Sequence, residues 1–402
     1  MLDVVDLFAG VGGLSEGFSA AKIDGKPLYN VKLMVDEDRD AALTYRHNRP
    51  DVPYMLADLS TVTPKDLLEK IGLKTKELDV LVGGPPCQGF SVLRRNHALD
   101  DPRNELMGVF LKLARGMRPR MFMIENVPNL LATAQDKFRG EIFDYVERHY
   151  LVKAAILNSY DYGVPQWRHR TFIIGVRKDL QIHDFSFPLV PETRRVSAKR
   201  LMPKAHDDEE LLPIIKPWIT AEDAIGDLPS LGPGEEANFY TRQPFTDYQA
   251  ARRKNATVLS NHIARKHDQQ FLQKLSKIEE GSSNQELDGR SRFDRGREIK
   301  YLSQAYGRLH REGIAQTITA HFLNPGSGRF MHYRDLRSIT VREAARFQSF
   351  DDDFVFYGNL QTQQRLVGNA VPPLMARALA EYFGKMLVNV PCEQIQRATV
   401  RL

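Results

Sequence analysis

Cysteine is scarce: the 402 residues include only two, Cys87 and Cys392. They stand far apart and lack the paired spacing of a thiolate site, so neither a disulfide framework nor a zinc centre is predicted, and no metal is expected. Long apolar runs are missing too, since no window approaches the ~18 consecutive apolar residues of a membrane span. The opening MLDVVDLFAG lacks the charged-then-apolar order of a secretion signal, which predicts a cytoplasmic protein without a membrane partner. No repeat period is visible, which excludes solenoids and propellers. Strong net charge is also absent, at +5 overall, but the charge is uneven. Between residues 290 and 346, twelve Lys or Arg stand against five Asp or Glu, while 201–240 is markedly acidic. A local basic surplus suits a phosphate backbone, or equally a solvated surface of mixed charge.

What is present is ordinary globular material, 42% hydrophobic and 27% charged, in a chain long enough for one large and one smaller domain. Residues 2–8 form an apolar run suited to a buried parallel strand. They lead through Phe8, Gly10, Gly12 and Gly13 into a helix over 14–20, the opening of a nucleotide-type α/β fold. The loop is not a full GxGxxG, because Ser15 stands where the third glycine would be, and such loops alone are weak evidence. A second strand over 29–35 ends in Asp36-Glu37-Asp38, where a ribose would be held, unless this is only a solvated acidic turn.

The run 80–82 then delivers Gly83-Gly84-Pro85-Pro86-Cys87-Gln88-Gly89-Phe90-Ser91 at the end of another strand. A cysteine on stiff backbone at the open end of a sheet fits a nucleophile, although a lone cysteine in a Pro-Gly turn is more often just buried. A polar loop follows, then a helix over 104–117 with Leu106, Phe110, Leu113 and Met117 on one face. The strand 119–124 delivers Glu125-Asn126-Val127-Pro128, a partly desolvated carboxyl. Further on, Gln166-Trp167-Arg168-His169-Arg170 precedes a strand over 171–176, and alternation predicts Arg168 and Arg170 on one face. Ordinary surface arginines would show the same spacing. Thr340 and Glu343 form a capping box that opens a helix to about 350. Residues 365–373 lead into a last amphipathic helix with Met375, Leu379 and Phe383 on one face and Pro373 in its first turn.

In this order the blocks DLFAGVGG, GGPPCQGFS, ENVP, QWRHR, QTITA and RLVGNAVPP resemble those of the DNA cytosine-5 methyltransferases of bacterial restriction-modification type. The resemblance spans nearly the whole chain. It implies an α/β, Rossmann-like doubly wound and mostly parallel sheet, as in S-adenosylmethionine-dependent methyltransferases, with a second, smaller and irregular target-recognition domain. The domains expected are 1–188 for catalysis and cofactor, 189–350 for target recognition, and 351–402 as a segment returning to the catalytic domain.

S-adenosylmethionine is the cofactor so implied, held by Phe8, Gly10, Gly12, Gly13, Asp36, Glu37, Asp58, Leu59, Pro85, Asn369, Ala370 and Val371. Cys87, Glu125, Arg168 and Arg170 are the implied catalytic residues, and Gln88, Ser91 and Asn126 the implied substrate contacts. Double-stranded DNA is the expected substrate, read by a monomer, and a cognate restriction endonuclease acting on the same site is a further expected partner. Asp351 departs from the family pattern, where proline is common. Two other readings stay open: a transfer-RNA cytosine-5 methyltransferase of the same family, whose Cys-Phe-Thr signature is missing here, and an inactive DNA-binding regulator, against which the intact Cys87, Glu125 and Arg168 argue.

Overall fold

The computed structural model describes residues 1–86, 105–128, 146–187, 193–194, 216–283, 292–294, 297–299 and 305–388. Cys87, Gln88 and Ser91 lie outside the described residues. The chain divides into two compact units, Met1–Asn158 with His169–Val190 and Val371–Leu402 in unit 1, and Ser159–Arg168 with Pro191–Ala370 in unit 2.

Unit 1 is built on a seven-stranded sheet. Its strands are β1 Leu2–Leu7, β2 Tyr29–Asp36, β3 Tyr54–Leu56, β4 Val80–Gly83, β5 Met121–Asn126, β6 Tyr150–Asn158 and β7 His169–Arg177. Their order is β3-β2-β1-β4-β5-β7-β6. The pairings from β3 through β5 are parallel, and β7 runs antiparallel to both of its neighbours. The sheet is therefore mostly parallel, as expected. Strands buried on both faces read as continuous Val, Leu, Ile and Met runs, which is why β1, β2, β4, β5 and β7 were visible in the sequence, whereas the three-residue β3 was not.

Helices α1 Gly13–Ala20, α2 Arg39–Asn48, α3 Pro64–Ile71 and α4 Glu105–Met117 connect the early strands. Asp38 caps α2 by accepting from the N–H groups of Asp40 and Ala41. Thr63 and Asp66 form a capping box on α3, with Pro64 in its first turn. Phe110, Leu113 and Met117 of α4 join Phe122 and Ile124 of β5 in the core.

Unit 2 contains α5 Ala221–Ile225, α6 Asp247–Arg253, α7 Gln269–Leu275, α8 Val341–Phe347 and α9 Leu360–Asn369, besides irregular chain. The predicted Thr340–Glu343 capping box is present on α8. The expected boundary at 350/351 is displaced to 370/371. The cause is local: Gln348, just past α8, donates from Nε2 to the carbonyls of Val367 (2.7 Å) and Ala370 (3.2 Å), which ties α9 to unit 2. Residues 159–168 also belong to unit 2, because Gln166–Trp167 pair in parallel with Ala315–Gln316. The last helix, α10 Pro373–Val388, returns to unit 1.

The basic surplus over 290–346 is only partly a surface property. Arg337, Arg342 and Arg346 are fully buried. Arg337 pairs with Glu343 and Asp335, and Arg346 with Asp352 and Asp227. Such cations balance interior carboxylates and are withdrawn from any phosphate. Asp351, the departure from the family pattern, pairs with Arg252 at 2.9 Å. Among the described residues no helix is long and apolar enough to cross a membrane.

Candidate active site

The strand order reverses on either side of β1, and ligands of open α/β sheets sit beyond the carboxyl ends of strands at such a switch point. The glycine loop lies there. Phe8, Gly10 and Gly12 all have left-handed backbone, with φ of 53°, 52° and 83°. A non-glycine residue in that region marks a tightly specified turn. A Cβ on Gly12 would strike the Tyr45 ring at 2.3 Å, and one on Gly13 would meet the Val371 carbonyl oxygen at 2.1 Å. Gly10 faces open space, with nothing within 4 Å of a Cβ built there. The loop is thus packed hard from behind and open in front.

Asp36 ends β2 beside this opening. Its Oδ2 accepts from the Gly10 N–H and its Oδ1 from the Asp38 N–H, both at 2.8 Å. Burial raises its pKa above the ordinary carboxyl range, against the pull of those N–H groups. Glu37 is exposed next to it. Asp58 is exposed and accepts from the Ser60 N–H at 2.9 Å, and hydrogen bonds from Ser60 hold its carboxyl below the usual value. Leu59 is buried in the unit 1 core, against which Phe8 packs. Val371 stands behind Gly13 in unit 1, whereas Asn369 and Ala370 belong to unit 2 at the end of α9.

Beside the loop, the ends of β4 and β5 come together. Gly83 pairs with Ile124 in register, so Gly84 and Pro85 run alongside Glu125 and Asn126. Asn126 donates from Nδ2 to the Pro85 carbonyl at 3.0 Å, two residues before Cys87. Glu125 lies near Gly84, its Oε2 3.4 Å from where a Cβ would stand. It is partly withdrawn from water, as its strand context predicts, and it has a partner that the sequence did not assign to it: Arg170 Nε on β7 pairs with Oε1 at 2.9 Å. Burial lowers the Arg170 pKa, and Glu125 opposes that shift.

Arg168 has partners of a different kind. Arg168 is buried in unit 2, where its Nη1 donates to the carbonyls of Ile318 (3.0 Å) and Gly368 (3.2 Å). β7 starts at His169, so Arg168 stands just before the strand and Arg170 within it. Three participants, Asp6, Ser15 and Tyr54, were not among the expected site residues. Asp6 is completely buried in β1, where Ser15 Oγ donates to its Oδ2 at 2.7 Å, and burial pushes its pKa up to about 7. Ser15 therefore replaces the third glycine of the usual pattern with a hydrogen bond between α1 and β1. Tyr54 donates to the Gly10 carbonyl at 2.8 Å and buttresses the loop from β3. The available signal for Asp6 was its place at the head of the DLFAGVGG block, directly before the glycine loop; Tyr54 gave none.

The family model for C-5 cytosine-specific DNA methylases matches residues 2–385. The chain belongs to this family and is a DNA cytosine-5 methyltransferase. Among its relatives, the type II methyltransferase M1.HphI of Haemophilus parahaemolyticus is 35% identical, over 96% of this chain and 88% of that protein. The type II methyltransferase M.DdeI of Desulfomicrobium norvegicum is 33% identical, over 97% and 90%. The crystal structure of a protein described as a prophage-encoded DNA modification methyltransferase (E. coli) superposes with a TM-score of 0.70 at 26% identity, covering 97% of this chain and 99% of that one.

Proposed function

We propose that this enzyme methylates a cytosine flipped out of duplex DNA, with S-adenosylmethionine as donor and Cys87 as covalent nucleophile. The observation that carries the reading is the junction of β4 and β5, where the Asn126–Pro85 hydrogen bond fixes the start of the cysteine loop beside the Glu125–Arg170 pair. The cofactor fits the loop on physical grounds. Open space at Gly10, a buried acid at Asp36 and an exposed one at Asp58 offer close backbone approach and acceptors for hydroxyl and amino groups. When bound, S-adenosylmethionine supplies an electrophilic methyl group.

The chain's own residues handle the ring. Carbon 5 of cytosine is a poor nucleophile until the Cys87 thiolate adds to carbon 6 and converts the ring to an enamine. Negative charge then builds toward ring nitrogen 3, where the Glu125 carboxyl holds a proton or hydrogen bond, and Arg170 orients that carboxyl. After carbon 5 takes the methyl, it gives its proton to water, the C–H pair forms the carbon 5–carbon 6 double bond, and the Cys87 sulfur leaves carbon 6 with its bonding pair, restoring the ring. A free thiol titrates near ~8.5, and positive charge on nearby arginine favours the thiolate. Arg168 serves a different end, since its carbonyl partners make it a support for the fold of unit 2. Unit 2 is read as the target-recognition domain. The type II relatives suggest a restriction-modification setting, with an endonuclease acting on the same site.

DNA whose target cytosine carries fluorine at carbon 5 tests this directly. Fluorine does not leave as a proton does, so a covalent complex at Cys87 should accumulate only when S-adenosylmethionine is supplied, visible by denaturing electrophoresis and peptide mapping. An adduct mapped to Cys392, or equal trapping by Cys87→Ser, would overturn the mechanism.

A further inference from the structure

The amino end of the unit 1 strands, opposite Glu125 and the glycine loop, carries a cluster of cations with a common support. Arg177 is almost fully buried at the end of β7. Its Nη1 donates to the carbonyls of Lys76 (3.2 Å) and Arg118 (2.6 Å), and its Nε to Asp179 Oδ1 (2.6 Å). The Lys76 N–H bonds the Met117 carbonyl and the Lys178 N–H bonds the His149 carbonyl, each at 2.9 Å. Chain segments before β4, after α4, before β6 and after β7 are thereby stapled together, and each contributes a cation.

Two of the cations sit on backbone that residues with side chains rarely adopt, Lys76 at φ 76° and Arg118 at φ 52°. Arg115, Arg148 and Lys178 are exposed around them. Arg118 Nη2 lies 3.2 Å from His149 Nδ1. His149 is pushed down by burial first and then by Arg118, Arg115, Arg148 and Lys76. Asp179 lies 4.0 Å from the Lys76 ammonium, and Glu147 is exposed beside Arg148. A cleft of about 450 Å³ opens here, lined by Glu147, Arg148, Tyr150, Leu151, Val152 and Lys178.

We propose that this cationic end of unit 1 is a second DNA-binding surface, holding the phosphate backbone of a duplex segment other than the one that carries the target cytosine. Cations spread over several chain crossings suit a line of phosphates better than one enclosed anion. The length of β5 puts the patch about 17 Å from the Glu125 end of the sheet, at ~3.3 Å per residue. The proposal rests on the enzyme's acting on DNA and is independent of the roles of Cys87 and the cofactor.

Charge reversal at two exposed positions, Arg148→Glu with Lys178→Glu, tests it in the full chain, with Arg148→Gln/Lys178→Gln as the milder pair and the thermal midpoint as a folding control. Every phosphate that the protein ceases to neutralise flattens the slope of log affinity against log salt by about 0.9. On a long duplex the reversed variant should therefore show a slope smaller by about 1.8, and fewer successive methylations per binding event. Methylation of a short duplex with one target site should stay unchanged. An unaltered slope on the long duplex would overturn the proposal, and so would an equal loss on the short one.

Discussion

Glu125 and Arg170 meet at 2.9 Å with 12% and 15% of their side chains exposed, so neither charge is fully withdrawn from water. Breaking a fully buried pair costs about 3–5 kcal/mol, and the residual exposure makes the cost smaller here. Glu125→Gln should slow methyl transfer by about 10²–10⁴, the usual worth of a positioned acid, while DNA affinity changes little. Single-turnover rates beside equilibrium binding would show the split, and equal losses in both would remove Glu125 from the chemistry. Joining Arg170→Gln to Glu125→Gln should recover part of the lost stability in a double-mutant cycle, because no unpaired charge then remains.

At the scale of elements, the glycine loop depends on what stands behind it. Gly13→Ala would drive a methyl group to 2.1 Å from the Val371 carbonyl, a backbone atom that cannot swing aside. A loss of about 1–3 kcal/mol is expected in thermal or denaturant unfolding, together with weaker cofactor binding by titration calorimetry. Retained affinity would show that the loop tolerates retreat. Much of this architecture was legible. The strand over 29–35, the helix over 104–117 and the Thr340 cap reappear within a residue or two, because buried parallel strands and capping boxes write themselves in local sequence. What stayed hidden depends on distant partners. Neither the capture of residues 159–168 by unit 2, nor the Arg168 guanidinium on carbonyls of Ile318 and Gly368, nor Tyr54 under Gly10 has any local signature.

For the molecule as a whole, the two units carry opposite responses to acid. Asp6 and Asp36 in unit 1 have raised pKa values, Asp6 from 3.8 to about 7, chiefly through burial. The native state holds their protons longer than the unfolded chain does, so their contribution is complete below pH 3.8 and is lost as pH rises toward 7. In unit 2, burial holds His267 and His332 at about 4, below the ordinary 6.5, and lowers His262. These neutral histidines stabilise above pH 6.5, and that contribution is lost as pH falls toward 4. The downward shifts at His149 and His169, chiefly from burial, act against the rise at Asp6 within unit 1. Between about pH 4.5 and 6.5, amide exchange corrected for intrinsic rates should therefore show protection falling in unit 1 and rising in unit 2 as pH increases. Parallel changes in both units would refute the assignment, and Asp6→Asn should flatten the response of unit 1.

The packing of α10 on α1 also has a consequence in time. Gly13 and Gly17 rest against Val371, Pro373 and Ala376, residues that the ribosome delivers long after the glycine loop. At about 5–20 residues per second, the loop spends on the order of tens of seconds in the nascent chain without its backing. The first motif to be synthesised is thus among the last to be completed, because its backing by Val371, Pro373 and Ala376 forms only once that segment has emerged.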